Sequence, residues 1–293
     1  MFLSKFFNRA DVNKEVKVEV FGSTDIVRRR AQNQDTYFFT DLNKVEAKKS
    51  ESKFRIEEDG VLMLVADGMG GAAAGEVASE MAAETLPVVL KELPKEMNAK
   101  QRLENAVHMA NQRIYEHAQG NPEMRGMGTT VTAAYVQNSN VHIAQVGDSR
   151  AYLLRGDTIK QLTKDQSLAQ YLVDIGQISQ EKMRLVPQNV ILQALGTEKS
   201  INVAVSNVQL CKDDVLLLCS DGLSNKVSDE DMIEIISSNS TLKDAVEELI
   251  NLANERGGED NITVVLARFN GNALAQARDT YQTADLELKY QAA

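Results

Sequence analysis

The chain has 293 residues, 43% hydrophobic and 25% charged, an ordinary globular composition with room for a large core. Its net charge of −10 argues against nucleic acid as a partner, since a phosphate backbone is held by Lys and Arg and the one compact basic run is Arg28-Arg29-Arg30. No apolar stretch approaches the roughly 18 residues of a transmembrane segment.

The start, Met1-Phe2-Leu3-Ser4-Lys5-Phe6-Phe7, is too short for a signal-peptide core and is followed by a polar lead-in over residues 1–15. Residues 16–21 alternate as Val-Lys-Val-Glu-Val-Phe and predict a half-buried strand. Asp35 closes a polar stretch and precedes a second strand at 36–40, and residues 42–60 read as a charged hairpin connector.

Residues 61–66 are a continuous apolar run of strand length that breaks on Asp67-Gly68 and leads through further glycines into a helical pattern. Gly68 to Ala73 fits the loose G-x-G-x-x-G/A pattern of a dinucleotide site. Against that, the next clear strand comes only after Thr129, and an anionic Asp67 would repel a pyrophosphate. No Gly-Lys-Ser or Gly-Lys-Thr follows to make a P-loop. Alone, the stretch fits a metal site and a plain strand-to-helix turn equally well.

Helices are predicted over 73–90, where Pro87 marks a kink or an end, and over 99–119. Strands follow at 129–136 and 141–146, the second running into Gly147-Asp148-Ser149-Arg150, and at 151–154. Residues 162–196 are the least regular part. Strands at 203–208 and 215–219 come next, the latter ending in Ser220-Asp221-Gly222, then helices at 229–237 and 242–256. Gly257-Gly258-Glu259-Asp260-Asn261 opens a last strand at 262–269, and a polar tail covers 270–293 as weak helix or disorder. Cys211 and Cys219 fall in or beside apolar strand patterns, as buried small hydrophobes in a reducing compartment would, so a cytoplasmic location is expected. Hairpin-like connections between two helix pairs imply an α+β fold, a four-layer α-β-β-α sandwich of two largely antiparallel sheets flanked by helix pairs.

Asp67, Asp148 and Asp221 each end an apolar strand beside glycine, Asp260 opens one, and Asp35 precedes one. If those ends converge, the carboxylates must be neutralised by cations or protons. All-oxygen donors point to Mg²⁺ or Mn²⁺, with Ca²⁺ also fitting. Zinc is disfavoured, because His108, His117 and His142 have no ligand spacing. His142 reads as a structural histidine.

The chain resembles the metal-dependent serine/threonine phosphatases of the type 2C family in their compact bacterial form. The resemblance rests on eight segments in the family's order: Arg30-Ala31-Gln32-Asn33-Gln34-Asp35, Val65-Ala66-Asp67-Gly68-Met69-Gly70-Gly71, Gly126-Met127-Gly128-Thr129-Thr130, Val146-Gly147-Asp148-Ser149-Arg150-Ala151-Tyr152, Leu162-Thr163-Lys164-Asp165, Ala194-Leu195-Gly196, Cys219-Ser220-Asp221-Gly222-Leu223 and Asp260-Asn261-Ile262-Thr263. It implies a phosphatase domain over 16–269, with a variable flap at about 163–196 that influences substrate choice.

The resemblance also implies roles. Asp67 bridges two core ions, Mn²⁺ or Mg²⁺, and the Gly68 carbonyl ligates one. Asp221 and Asp260 complete the second ion's shell, and Asp35 acts through water. Asp148 with Asp221 holds a third, weaker ion, and Arg30 grips the substrate phosphate. The implied activity is hydrolysis of phosphoserine and phosphothreonine on proteins by a metal-activated hydroxide, reversing a serine/threonine kinase, in a monomer. A catalytically weak relative serving as a phosphoprotein- or ligand-binding module is the alternative. Val27 stands where glycine is common, Ala72 and Gln166 replace histidines, and Met69 occupies a place where some members carry a histidine general acid. A metal-bound water is therefore expected to protonate the leaving oxygen.

Overall fold

In the computed structural model, which describes residues 14–44, 47–48, 51–70, 74–187, 189–277 and 283–284, the first strands are β1 (Lys17–Asp25), β2 (Asp35–Asp41), β3 (Ala47–Lys48), β4 (Glu51–Arg55) and β5 (Val61–Met69). Helices α1 (Ala74–Glu92) and α2 (Ala99–Gly120) follow, then β6 (Gly128–Thr129), β7 (Val131–Gln137), β8 (Asn140–Val146), β9 (Arg150–Arg155) and β10 (Thr158–Gln161). The remainder comprises α3 (Leu168–Asp174), β11 (Ala204–Gln209), β12 (Val215–Cys219), the one-turn α4 (Asp221–Ser224), α5 (Asp229–Ser238), α6 (Leu242–Glu255), β13 (Ile262–Asn270) and β14 (Thr283–Ala284).

One sheet has the order β10-β9-β12-β13-β1-β4; the other runs β14-β11-β8-β7-β5-β2-β3, with β6 on β5. The paired strands are antiparallel. The apolar run of β5 is continuous because both its faces are covered. Leu62, Leu64 and Ala66 pack under α1 and α2 with Leu86, Leu103 and Ile114. Val61, Met63 and Val65 point the other way, into the inter-sheet core with Val20, Leu216, Leu218 and Val265. On the far side Leu217, Cys219, Val264 and Leu266 pack under α5 and α6 with Ile235, Val246 and Leu249. Helix pair, sheet, sheet and helix pair make the expected four layers.

Two expectations need correction. The 42–60 connector contains β3 and β4, and β4 extends the first sheet beyond β1, setting Phe54 opposite Val18 and Ser52 opposite Val20. Its outward Glu51, Lys53 and Arg55 disguise the alternation as a charged loop. Pro87 does not end α1, which continues to Glu92. A proline inside a helix costs about 3 kcal/mol. Full burial of Leu86, Val89 and Leu90 around it returns about 1.5–3 kcal/mol each. Most of the lead-in and much of the tail lie outside the described residues, as does Ala72.

The turn before β12 carries a buried ion pair. Arg155 Nε and Nη2 donate to Asp214 Oδ1 and Oδ2 at 2.8 and 2.7 Å. Asp214 Oδ2 also accepts from the Cys211 amide at 2.7 Å. Asp214→Ala strands the guanidinium in the fold and is expected to lower stability by about 3–5 kcal/mol, read from urea unfolding.

Candidate metal centre

Antiparallel pairing of β2 with β5 sets Asp35 directly opposite Asp67. Asp148 follows the end of β8 on the same sheet, while Asp221 follows β12 and Asp260 precedes β13 on the other sheet. Asp67, Asp148, Asp221 and Asp260 line one cleft of about 260 Å³, together with Arg30, Gly68, Met69 and Thr130. Asp35 sits behind it, close enough to raise the proton affinity of Asp67 by its charge. All seven residues singled out in the sequence therefore lie at one end of the sandwich, across the seam between its sheets. Among the described residues no three His, Cys, Asp or Glu side chains close into a ready-made cage; the acids stand around the cleft instead.

Hydroxyls and amides hold them there. Ser220 Oγ and Thr263 Oγ1 both donate to Asp35 Oδ2 at 2.7 Å. Thr130 Oγ1 accepts from the Asp67 amide at 3.0 Å, and the Thr130 amide donates to the Asp67 carbonyl at 2.8 Å. Gly68 admits no side chain, since a Cβ would lie 2.1 Å from the Gly75 carbonyl oxygen at the start of α1. Gly147, at φ +102°, turns the chain toward Asp148 in a conformation glycine adopts readily. The Gly147 amide donates to Gln166 Oε1 at 2.8 Å, and its carbonyl accepts from the Gln166 amide at 2.9 Å. The glutamine in a histidine's place thus braces the Asp148 turn.

Arg30 Nη2 donates to Asp260 Oδ2 at 2.5 Å, and its Nε to the Glu259 carbonyl at 3.2 Å. Its loop is pinned by buried Asn261. The side-chain amide of Asn261 donates to the carbonyls of Ile26 at 3.1 Å and Gln32 at 3.2 Å, while its Oδ1 accepts from the Gln34 amide at 3.0 Å. Reading the acids alone missed Asn261, Ser220 and Thr263; Ser220 and Asn261 each abut a site acid, but nothing local tells which residue they hold, and Thr263 abuts no acid. Val27, in the same loop, has φ +60°. That costs an L-residue about 1–2 kcal/mol, which the burial of its side chain beneath α6 and β13 neighbours offsets at about 1.5–3 kcal/mol. Arg28 and Arg29 are exposed, as expected.

The carboxylates carry the strain of their gathering. Burial, reinforced by Asp221 and Asp260, pushes Asp35 up to about 7, although the bonds from Thr263 and Ser220 pull it down. Burial and then the charges of Asp221 and Asp165 push Asp148 up to about 8. Burial and Asp260 push Asp221 up to about 6 against the pull of Arg150 and Arg30. Asp67 is raised well above the usual range by burial and then by Asp35. Oδ1 of Asp35 and Oδ1 of Asp221 are buried without a hydrogen-bond partner. Unpartnered carboxylate oxygens in an all-oxygen, mutually repelling set suit hard divalent cations such as Mg²⁺ or Mn²⁺.

His142 is not part of this centre. It sits four residues back along β8 from Val146, ~13 Å at about 3.3 Å per residue, beside Tyr135.

A family profile described as protein phosphatase 2C matches residues 48–267. The serine/threonine phosphatase stp of Listeria innocua is 44% identical over 213 residues, covering 71% of this chain and 84% of that protein. The crystal structure of the Mycobacterium tuberculosis serine/threonine phosphatase PstP/Ppp superposes with a TM-score of 0.74 at 33% identity, over 89% of this chain and 100% of that one. A structure of the PstP catalytic domain in complex with two manganese ions gives a TM-score of 0.72 at 32% identity, covering 87% and 99%.

In a chelator, raised carboxylate pKa values mean that the native state binds more protons than the unfolded chain from the ordinary range near 3.8 up to about 8. Stability of the metal-free protein is therefore expected to fall as pH rises through that window. Mn²⁺ or Mg²⁺ should restore it most at the alkaline end, as followed by urea midpoints. Asn261→Ala removes three bonds to the Arg30 loop. It is expected to cut kcat/KM about 10–100-fold, as loss of a ligand-orienting partner does, with Mn²⁺ affinity measured by calorimetry changing far less.

Proposed function

This chain belongs to the protein phosphatase 2C family and is a metal-dependent serine/threonine protein phosphatase, and on that basis we propose which of its residues do the work. Asp67 and the Gly68 carbonyl would hold the core ions together with Asp221 and Asp260. Asp35 would act through water, and Asp148 with Asp221 would hold a third, weaker ion. Bound there, the ions supply Lewis acidity and make water a competent nucleophile near neutral pH. The observation that carries the assignment is the gathering of four carboxylates around one cleft, two of the site's acids having orphaned buried oxygens.

Arg30 orients the phosphoryl group. Its planar fork matches two phosphoryl oxygens, and its side chain is 45% exposed at the cleft, so it exchanges Asp260 for substrate without unfolding anything. The backbone around it is held by Asn261, so the guanidinium is aimed before the substrate arrives. Asp35 is fixed by two hydroxyl donors through Oδ2, which leaves its buried Oδ1 without a hydrogen-bond partner. None of the residues lining the cleft is a histidine; we assign the leaving oxygen's proton to solvent water in the cleft.

The reading extends to phosphoproteins made by a serine/threonine kinase, a monomeric state and a cytoplasmic setting. The free thiols of Cys211 and Cys219 support the cytoplasmic setting. With a net charge of −10, substrate approach depends on local cation loading and not on a global field.

The test is hydrolysis of an aryl phosphate and a phosphothreonine peptide with Mn²⁺, Mg²⁺ or chelator. Turnover should require metal and fall by about 10²–10³-fold or more in Asp67→Asn, the scale for removing one electrostatic stabiliser. Chelator-resistant turnover, or full activity in the variant, would overturn the assignment.

A further inference from the structure

The cleft opens sideways into a groove of about 1130 Å³ between the 3₁₀ turn Gln180–Leu185 and the segment from α4 to the start of α5. Arg30, Asn189, Asp221 and Asp260 line both spaces, so the groove is continuous with the site. A phosphorylated side chain on a protein cannot enter the cleft alone; the polypeptide flanking it must leave along the surface, and this groove gives it a path.

The groove's basic side chains are all paired with carboxylates, while Glu181 and Asp221 line it without an ion-pair partner among the described residues. Arg30 pairs with Asp260 at 2.5 Å, Arg150 with Asp165 at 2.6 Å, Arg256 with Asp231 at 2.5 Å, and Lys226 with Glu259. The rest of the lining includes the polar side chains of Gln180, Glu181 and Asn189. The flap adds apolar surface. Of the eight exposed large hydrophobics among the described residues, five lie within 163–196: Tyr171, Ile175, Leu185, Val190 and Leu192. Leu185 is 83% exposed and closes the same turn whose Gln180, Glu181 and Met183 line the groove. It is the concentration of exposed apolar side chains in this one segment, beside a groove continuous with the site, that marks a contact surface.

We propose that the groove seats the polypeptide on one side of the phosphorylated residue, and that Leu185 at its rim packs against an apolar side chain of that polypeptide. This rests on the phosphatase reading and narrows its substrates to phosphoproteins with an apolar residue near the phosphosite.

The experiment compares wild type with Leu185→Ser on an aryl phosphate and on phosphothreonine peptides carrying a leucine at each of the three positions on either side. An all-alanine peptide is the reference. Because Leu185 is exposed, the variant keeps its core. For the peptide with leucine at the contacting position, the ratio of peptide to aryl phosphate kcat/KM is expected to fall about tenfold, mainly through KM, the effect of losing one buried apolar contact. The alanine peptide should show no such difference between the two enzymes. An equal ratio for every peptide would overturn the proposal. So would sedimentation showing that the substitution abolishes self-association, which would give the leucine to a second copy of the chain. Failure of the wild type to hydrolyse the aryl phosphate would instead reject the phosphatase reading beneath it.

Discussion

Carboxylates gathered at the seam of two sheets repel one another, and much of the surrounding structure is an answer to that repulsion. Asp35 and Asp67 are forced opposite each other by the β2–β5 register. No neighbouring lysine or arginine neutralises Asp35 directly; it receives two hydroxyl hydrogen bonds, which help but do not cancel a buried charge. Arg30 meets Asp260 and Arg150 is committed to Asp165, so the cationic side chains near the cleft neutralise its edges and leave the middle acidic. The fold supplies a rigid frame of buried strands on which such a set can be held open for cations, an arrangement that a flexible loop would relax.

The layer order was legible because it depends on patterns that a linear sequence displays. Strands covered on both faces show unbroken apolar runs, as at 61–66 and 215–219, and strands covered on one face alternate. β4 was hidden because it is an edge strand whose outward residues are all charged, so only Ser52 and Phe54 speak for burial. Four acids of the site were legible for a similar reason: Asp67, Asp148, Asp221 and Asp260 each stand at a strand end beside a glycine or an asparagine, whereas Asp35 only opens a strand. The residues that hold them were not, because Ser220, Thr263 and Asn261 act through distant sequence partners. Thr263 reaches Asp35 across 228 positions and Asn261 reaches Gln34 across 227. No local pattern carries information about such pairs.

Val27 is a departure that acquires a physical meaning only in three dimensions. A β-branched residue in the left-handed region is uncomfortable, yet its side chain fills the apolar layer beneath α6 while its backbone turns the chain into the Arg30 loop. Strain and burial are of similar size there, so valine stands in for a residue with no side chain at little net cost. Gln166 is comparable: in place of an imidazole, its side-chain oxygen accepts from the Gly147 amide, while its main-chain amide donates to the Gly147 carbonyl.

The order of the site along the chain has its own consequence. The Arg30 loop and Asp35 come early, but Asn261 and Thr263, which brace them, lie just before and within β13, the last long strand, and β13 lies in the middle of its sheet between β12 and β1. During synthesis at about 5–20 residues per second, the first sheet has no centre and the early half of the site has no support until that strand leaves the ribosome. An incomplete chain therefore has nothing with which to aim its arginine or seat Asp260. Any chain that ends before Asn261 and β13 lacks both the centre of that sheet and the braces of its own site.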